Sequence, residues 1–186
     1  KIATGNVGSY LVWQVVQLGR SPEWIRRLRA EQAGEDSPGV PDLTLRVIKE
    51  TLRLEQSEYL YRRIRKDFTA AGYLFPKGWI LRICVRESHR LPEVFDNPGS
   101  FDPDRFAGRE FSSSEYSPFG FLRHACLGVP TTHMIGGWMI HHIVAGHDWV
   151  VVRDGHPVRE FRHWKHWRPS PEIVVEFRPV SSAPDA

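Results

Sequence analysis

Cys126 is the residue best placed to do chemistry. It stands in the run Phe119-Gly120-Phe121-Leu122-Arg123-His124-Ala125-Cys126-Leu127-Gly128, just ahead of a stretch with helical character. A thiolate there gains from the positive end of the helix dipole and from backbone N–H groups that lack partners within the helix. Those N–H groups can also bond the sulfur and tune the electron density it donates to a metal. Gly120 and Gly128 let the backbone approach a large flat ligand with no Cβ in the way. A second motif, Glu50-Thr51-Leu52-Arg53, puts an acid and a base three residues apart, on one face of a helix. A third, Phe101-Asp102-Pro103-Asp104-Arg105-Phe106, frames Arg105 between aromatic anchors and leaves it able to bond inward. Each has an ordinary explanation when taken alone: an inert core thiol, a surface ion pair worth under ~1 kcal/mol, a loop with two exposed acids.

These residues need elements to hold them. Apolar residues on most faces of 7–18 predict a buried helix, with Gly19 as its C-terminal cap. Ser21-Pro22-Glu23 supplies an N-cap, a first-turn proline and an acid for a second helix to about Gln32. Residues 33–41 read as a loop. Asp42 can cap a third helix, where Leu45, Ile48 and Leu52 recur at helical spacing. Strands are expected over 59–64, 72–75 and 79–85, the last two joined by a Pro76-Lys77-Gly78 turn. Cys84 then falls in an apolar strand and reads as core. Residues 89–118 lack periodicity but are rich in Pro, Asp, Ser and Phe, which suggests an ordered meander packed by its aromatics. A helix over 128–144, strands over 148–152 and 173–178, and a loose tail from Ser181 complete the reading.

Composition sets the bounds. The chain has 186 residues, 41% apolar and 25% charged, as in a soluble globular domain, and its seven Trp, ten Phe and five Tyr exclude general disorder. Two Cys exclude a disulfide framework and a four-thiolate zinc site. The nine His include His141, His142 and His147, and His163 and His166, but no acid or second thiolate stands at ligand spacing from them; packing and surface roles are the economical reading. Trp164 and Trp167 among His163, Lys165 and His166 likewise read as a charged hairpin or loop. A net charge of +3 with dispersed basic residues does not indicate nucleic acid. No apolar run reaches the ~18 residues of a membrane span.

Order and spacing change the weight of the three motifs. Together they resemble the haem-thiolate superfamily, the cytochromes P-450. The likeness continues between them in Lys49-Glu50-Thr51-Leu52-Arg53-Leu54, Phe75-Pro76-Lys77-Gly78, His89-Arg90-Leu91-Pro92-Glu93-Val94-Phe95 and Pro98-Gly99-Ser100-Phe101. It covers the chain to about Val152. The resemblance implies a mainly α fold with small β-sheets, the C-terminal haem-binding part of that fold over residues 1–180, with 181–186 as tail. It implies haem b, with Cys126 as the axial thiolate on iron, His124 and Arg62 as partners of the propionates, and Phe119 as the aromatic that shields the thiolate side. Gly120 and Gly128 would flank the ring. Glu50, Arg53 and Arg105 would form a buried triad locking the meander.

The opening helix resembles the C-terminal half of the family's oxygen-side helix, and Asn6 stands where a Thr is usual. An amide hydrogen-bonds but does not relay a proton as a hydroxyl does. Three functions are therefore carried forward. The first is a monooxygenase inserting one oxygen atom from dioxygen into an organic small molecule. It would be fed by a ferredoxin, flavodoxin or reductase that Arg123 helps to attract. The second is a peroxide-using or isomerising enzyme without a reductase. The third is a non-catalytic half needing a partner chain. Leu122 replaces the family's usual Gly, so the loop is expected to adopt a conformation open to a Cβ there; Glu55-Gln56 replaces prolines common in the family. The family's chains are more than twice this length, and Lys1 is not Met, so a missing N-terminal half is expected. The cytoplasm is the expected compartment, with anchoring through that missing part left open.

Overall fold

A computed structural model describes residues 2–34, 39–55, 59–159 and 167–180. Three helices open the chain: α1 (Ile2–Arg20), α2 (Pro22–Gly34) and α3 (Asp42–Glu55). Leu18, Ile25, Leu28, Val47 and Ile48, all buried, meet at their centre with Ile140 and Val144 from α5 (Val129–Gly146). Each such side chain contributes roughly 1.5–3 kcal/mol of burial. α3 is capped across the helix pair. Glu31 of α2 accepts from the Leu43 and Thr44 amides, at 2.5 and 3.1 Å, and from the Thr44 hydroxyl at 3.0 Å. Asp42, the expected cap, lies inside the helix, because a fixed carboxylate from a neighbouring helix reaches the same orphan N–H groups.

Gly19 is not a terminus either. α1 runs on to Arg20, and a Cβ at Gly19 would lie 2.9 and 3.2 Å from the Trp149 indole and 3.3 Å from Val151. The glycine is there for close approach of β5 (His147–Arg153), whose Trp149 donates Nε1–H to the Val15 carbonyl at 2.8 Å.

Among the described residues, four two-stranded antiparallel ribbons decorate the helices. β1 (Leu60–Arg63) pairs with β4 (Ile80–Ile83), and β2 (Phe68–Ala70) with β3 (Tyr73–Phe75). β5 pairs with β8 (Val174–Pro179), and β6 (Val158–Arg159) with β7 (Trp167–Arg168). The turn at Pro76-Lys77-Gly78 is present, with the Trp79 amide bonding the Pro76 carbonyl at 3.3 Å and Gly78 at φ +91°. It does not close the expected hairpin. β3 turns back on β2 through Ala71 and Gly72 (φ +49° and +80°), and β4 returns to β1. Cys84 follows β4 at the head of a one-turn helix, α4 (Val85–Ser88), and is half-buried rather than core.

The meander is ordered by its rings. Phe95 stacks on Phe111 at 4.9 Å, while Phe106 meets Phe111 and Tyr116 edge-on at 5.2 Å each. Asp102 accepts from the Asp104 amide at 3.1 Å and starts the 3-10 turn Pro103–Phe106. Gln56, His163, Trp164, Lys165, His166 and the tail 181–186 lie outside the described residues. Among the described residues no helix is long and apolar enough to cross a membrane.

Candidate functional site

The structure brings Glu50, Arg53 and Arg105 into one buried cluster. The first two have no exposure at all, and the Arg105 side chain only 7%. Glu50 accepts Arg53 Nε at 2.7 Å and its terminal N–H at 2.9 Å, and Arg105 Nε at 3.0 Å. It also accepts the Asp102 amide at 2.9 Å. Arg53 spends its remaining donors on backbone carbonyls: His89 at 2.8 Å, Pro98 at 2.9 Å and Ser100 at 3.0 Å. Arg105 adds the Asp96 carbonyl at 2.8 Å. A guanidinium has five N–H bonds in a planar fork, and Arg53 uses all five; an ammonium has three and no fixed plane. The meander is thus pinned at residues 89, 96, 98, 100 and 102 to one side of α3. Desolvating three charges is tolerable only because each polar atom has a partner.

Asp104 serves the same packing from outside. It takes Arg27 in two bonds, at 2.7 and 2.9 Å, and Arg46 at 2.6 Å. The Arg27 bonds, ahead of the Arg46 charge, hold its carboxyl below the usual aspartate range.

The Cys126 loop is built the opposite way. The Gly120 amide bonds the Ser117 carbonyl at 3.0 Å and the Cys126 amide bonds the Phe119 carbonyl at 2.9 Å, closing a tight loop. Gly120 takes φ +70°, the left-handed region that suits glycine. Leu122 takes φ +56°, also left-handed. The expectation of a conformation that welcomes a Cβ is therefore corrected: the loop keeps its glycine-type backbone, and the leucine bears a strain of roughly 1–2 kcal/mol. Gly128 caps α5, and its amide donates to the Cys126 sulfur at 3.3 Å. Cys126 itself is exposed, Leu122 is 82% exposed and Leu127 97%.

Beside the loop lies an open apolar cavity of about 410 Å³. Leu60 and Ile83, paired across β1 and β4, line it with Phe121 and Leu122. Arg62, Arg123 and His124 bring two guanidinium groups and an imidazole to the same lining. Arg62 and His124 are so brought together, and the exposed sulfur stands in the same loop. Phe119 is half-buried against the core, its ring 6.0 Å from His133. Burial and the Lys49 charge push the His133 ring's pKa down. Asn6 sits in the early turns of α1, half-buried, and does not line this cavity. Leu60 and Ile83 were missed from sequence. The signal was available for the first, since Leu60 and Arg62 share a face of β1 by alternation; Ile83 required knowing that β4 returns to β1.

A thiol presented outward, a glycine-hinged loop and an apolar surface edged by Arg and His fit a large flat apolar ligand bearing anionic groups. They fit haem on the chemistry of the donor set alone.

Comparison with known proteins agrees. The family model described as Cytochrome P450 matches residues 5–177. Ent-kaurenoic acid oxidase 1 of Hordeum vulgare is 28% identical over 95% of this chain and 38% of its own length. Abscisic acid 8'-hydroxylase 1 of Arabidopsis thaliana is 32% identical over 81% of this chain and 35% of its own. Among solved structures, the retinoic acid bound cyanobacterial CYP120A1 superposes with a TM-score of 0.79 at 23% identity, over 94% of this chain and 43% of that one. The chain spans between a third and a half of the length of these relatives.

Proposed function

This chain belongs to the cytochrome P450 family, a haem-protein family, and on that premise we propose that it holds haem b through Cys126 and serves a monooxygenase. The single observation that carries the proposal is an exposed Cys126 sulfur, with the Gly128 amide 3.3 Å away, at the head of α5 in an exposed loop that also presents Phe121, Leu122 and Leu127. In a complete fold such exposed leucines and phenylalanine would be a liability, whereas against a porphyrin they become contact surface.

Each residue has a physical task in this reading. The Gly128 N–H bonds the sulfur, withdrawing part of its electron density and fixing its direction. Gly120 and the 3-10 turn Leu122–His124 set the loop so that the sulfur faces away from the protein. Arg62 and His124 would take the anionic propionates, where charge-assisted bonds exceed neutral ones. Phe119, packed against the core at the start of the loop, would shield the thiolate side of the haem. Glu50, Arg53 and Arg105 act at a distance by fixing the meander that leads into the loop. Asn6 would lend an oxygen-side hydrogen bond from α1. When bound, the haem supplies the iron chemistry that activates dioxygen, aided by electron density from the thiolate.

The oxidase and hydroxylase names of the relatives support insertion of one oxygen atom into an organic small molecule over the isomerase reading drawn from Asn6. Electrons would come from a ferredoxin, flavodoxin or reductase, which the exposed Arg123 helps to attract through an acidic face. The test is turnover under isotopically labelled dioxygen with an electron donor. One labelled oxygen atom in the product, strictly dependent on the reductant, is expected. Equal turnover from a hydroperoxide with no reductant would reject the monooxygenase reading.

A further inference from the structure

His89 is fully buried and does not line the cavity beside the Cys126 loop. Its backbone carbonyl takes a donor of Arg53 at 2.8 Å. Its ring nitrogen Nε2 accepts the backbone N–H of Ser117 at 2.9 Å. The ring lies stacked on Tyr116, centroids 5.2 Å apart and planes 26° apart, with the edge of Phe95 6.2 Å away. Tyr116 is itself fixed, its hydroxyl donating to the Lys49 carbonyl at 2.9 Å. From Ser117 the chain of bonds continues into the cysteine loop. The Ser117 carbonyl takes the Gly120 amide at 3.0 Å, and the next carbonyl but one, of Phe119, takes the Cys126 amide at 2.9 Å.

We propose that His89, as a neutral ring carrying its proton on Nδ1, is the positioning residue that couples the Glu50–Arg53–Arg105 cluster to the Cys126 loop. An Nε2 that accepts from a backbone amide carries no proton, so the tautomer is fixed by the Ser117 bond. The cluster sets where residue 89 stands, the ring sets where residue 117 stands, and the tight turns from 117 to 126 set the sulfur. A second route runs beside it, since the Tyr116 hydroxyl bonds the carbonyl of Lys49, the neighbour of Glu50, and Tyr116 directly precedes Ser117; the ring of His89 is the part that bonds Ser117 itself. Burial, and then the Arg53 charge, push the ring's pKa down to about 4, so it stays an acceptor at neutral pH. Its Nδ1 is buried without a protein partner.

The proposal rests on Cys126 as the iron ligand for its functional consequence, but its structural half stands apart from haem. Two variants of the haem-loaded protein separate them. His89→Gln keeps an acceptor that reaches Ser117, while His89→Leu fills the space and leaves the Ser117 N–H unpaired. Amide exchange at Ser117 and Gly120 is expected to quicken about tenfold or more in His89→Leu and to stay near wild type in His89→Gln. The carbon monoxide spectrum should follow: His89→Leu loses much of its thiolate-type Soret band to the thiol-type band, and His89→Gln retains it. Equal exchange in the two variants overturns the coupling, as does an unchanged band in His89→Leu. Should His89→Leu fail to accumulate, nitrogen NMR of the wild type decides: a protonated Nδ1 and bare Nε2 support the proposal, and a proton on Nε2 overturns it. A wild type with no thiolate band at all would instead fault the Cys126 reading and leave the Ser117 result standing.

Discussion

The cluster around Glu50 and the loop around Cys126 lie on the same polypeptide but solve opposite problems. The cluster is polar, has no exposure at Glu50 and Arg53, and has a protein partner for each donor of Arg53. The loop is apolar at Phe121, Leu122 and Leu127, exposed, and strained at Leu122. A buried polar network that is complete needs nothing more. An exposed loop that presents leucines, a phenylalanine and a sulfur bonded only by the Gly128 amide is, on the proposed reading, covered by a ligand. On the proposed reading the first is a device of stability and the second a device of binding, and the two should respond to substitution in different observables.

The largest effect is expected inside the cluster. Glu50→Ala leaves two guanidinium groups and the Asp102 amide without their acceptor, and should cost ~3–5 kcal/mol in denaturant unfolding. Arg53→Lys should approach the same loss, because three pinned carbonyls compete for an ammonium that lacks the planar fork. Tolerance of Arg53→Lys would break the contrast.

Next comes acid. An unfolded His89 ring binds its proton near 6.5 and the folded one only at about 4. Between those values the unfolded state holds more protons, so stability present above pH 6.5 falls as pH drops toward 4. The loss is on the order of 3 kcal/mol. A pH series of unfolding midpoints should show this slope, and His89→Gln should flatten it.

A smaller effect belongs to the loop. Leu122→Gly relieves the left-handed strain but gains freedom in the unfolded chain, so a net stabilisation of about 0.5–1 kcal/mol is expected by thermal melting. Destabilisation of that size would mean the leucine packs rather than strains. The smallest change in haem-free stability is expected from Cys126→Ser, within about 0.5 kcal/mol, since the sulfur is exposed.

Much of this contrast is legible in the amino-acid sequence. The spacing of Glu50 and Arg53, the Phe-Pro frame of Arg105 and the glycines about Cys126 are local patterns, and local patterns survive in sequence. What escaped was tertiary. Ala71-Gly72 carries no Asn-Gly or Asp-Gly signal, so the β2–β3 turn with two positive φ angles was hidden, and the Pro76-Lys77-Gly78 turn drew the pairing to itself. Gly19 resembled a cap because nothing local announces that Trp149 will pack on it 130 residues later. The capping of α3 by Glu31 belongs to the same class, as does the lining of the cavity by Ile83. His89 was visible as a letter in a motif, but its bond to Ser117 was not.

The central claim is that the sulfur of Cys126, and not the surrounding basic or aromatic residues, holds the iron. Its most direct measurement is the carbon monoxide difference spectrum of the reduced, haem-loaded protein beside that of Cys126→Ser. A thiolate-type Soret band in the wild type and its complete loss in the variant, with the unfolding midpoint unchanged in the haem-free state, is the predicted result. A wild type without that band, or a serine variant that keeps it, would contradict the account.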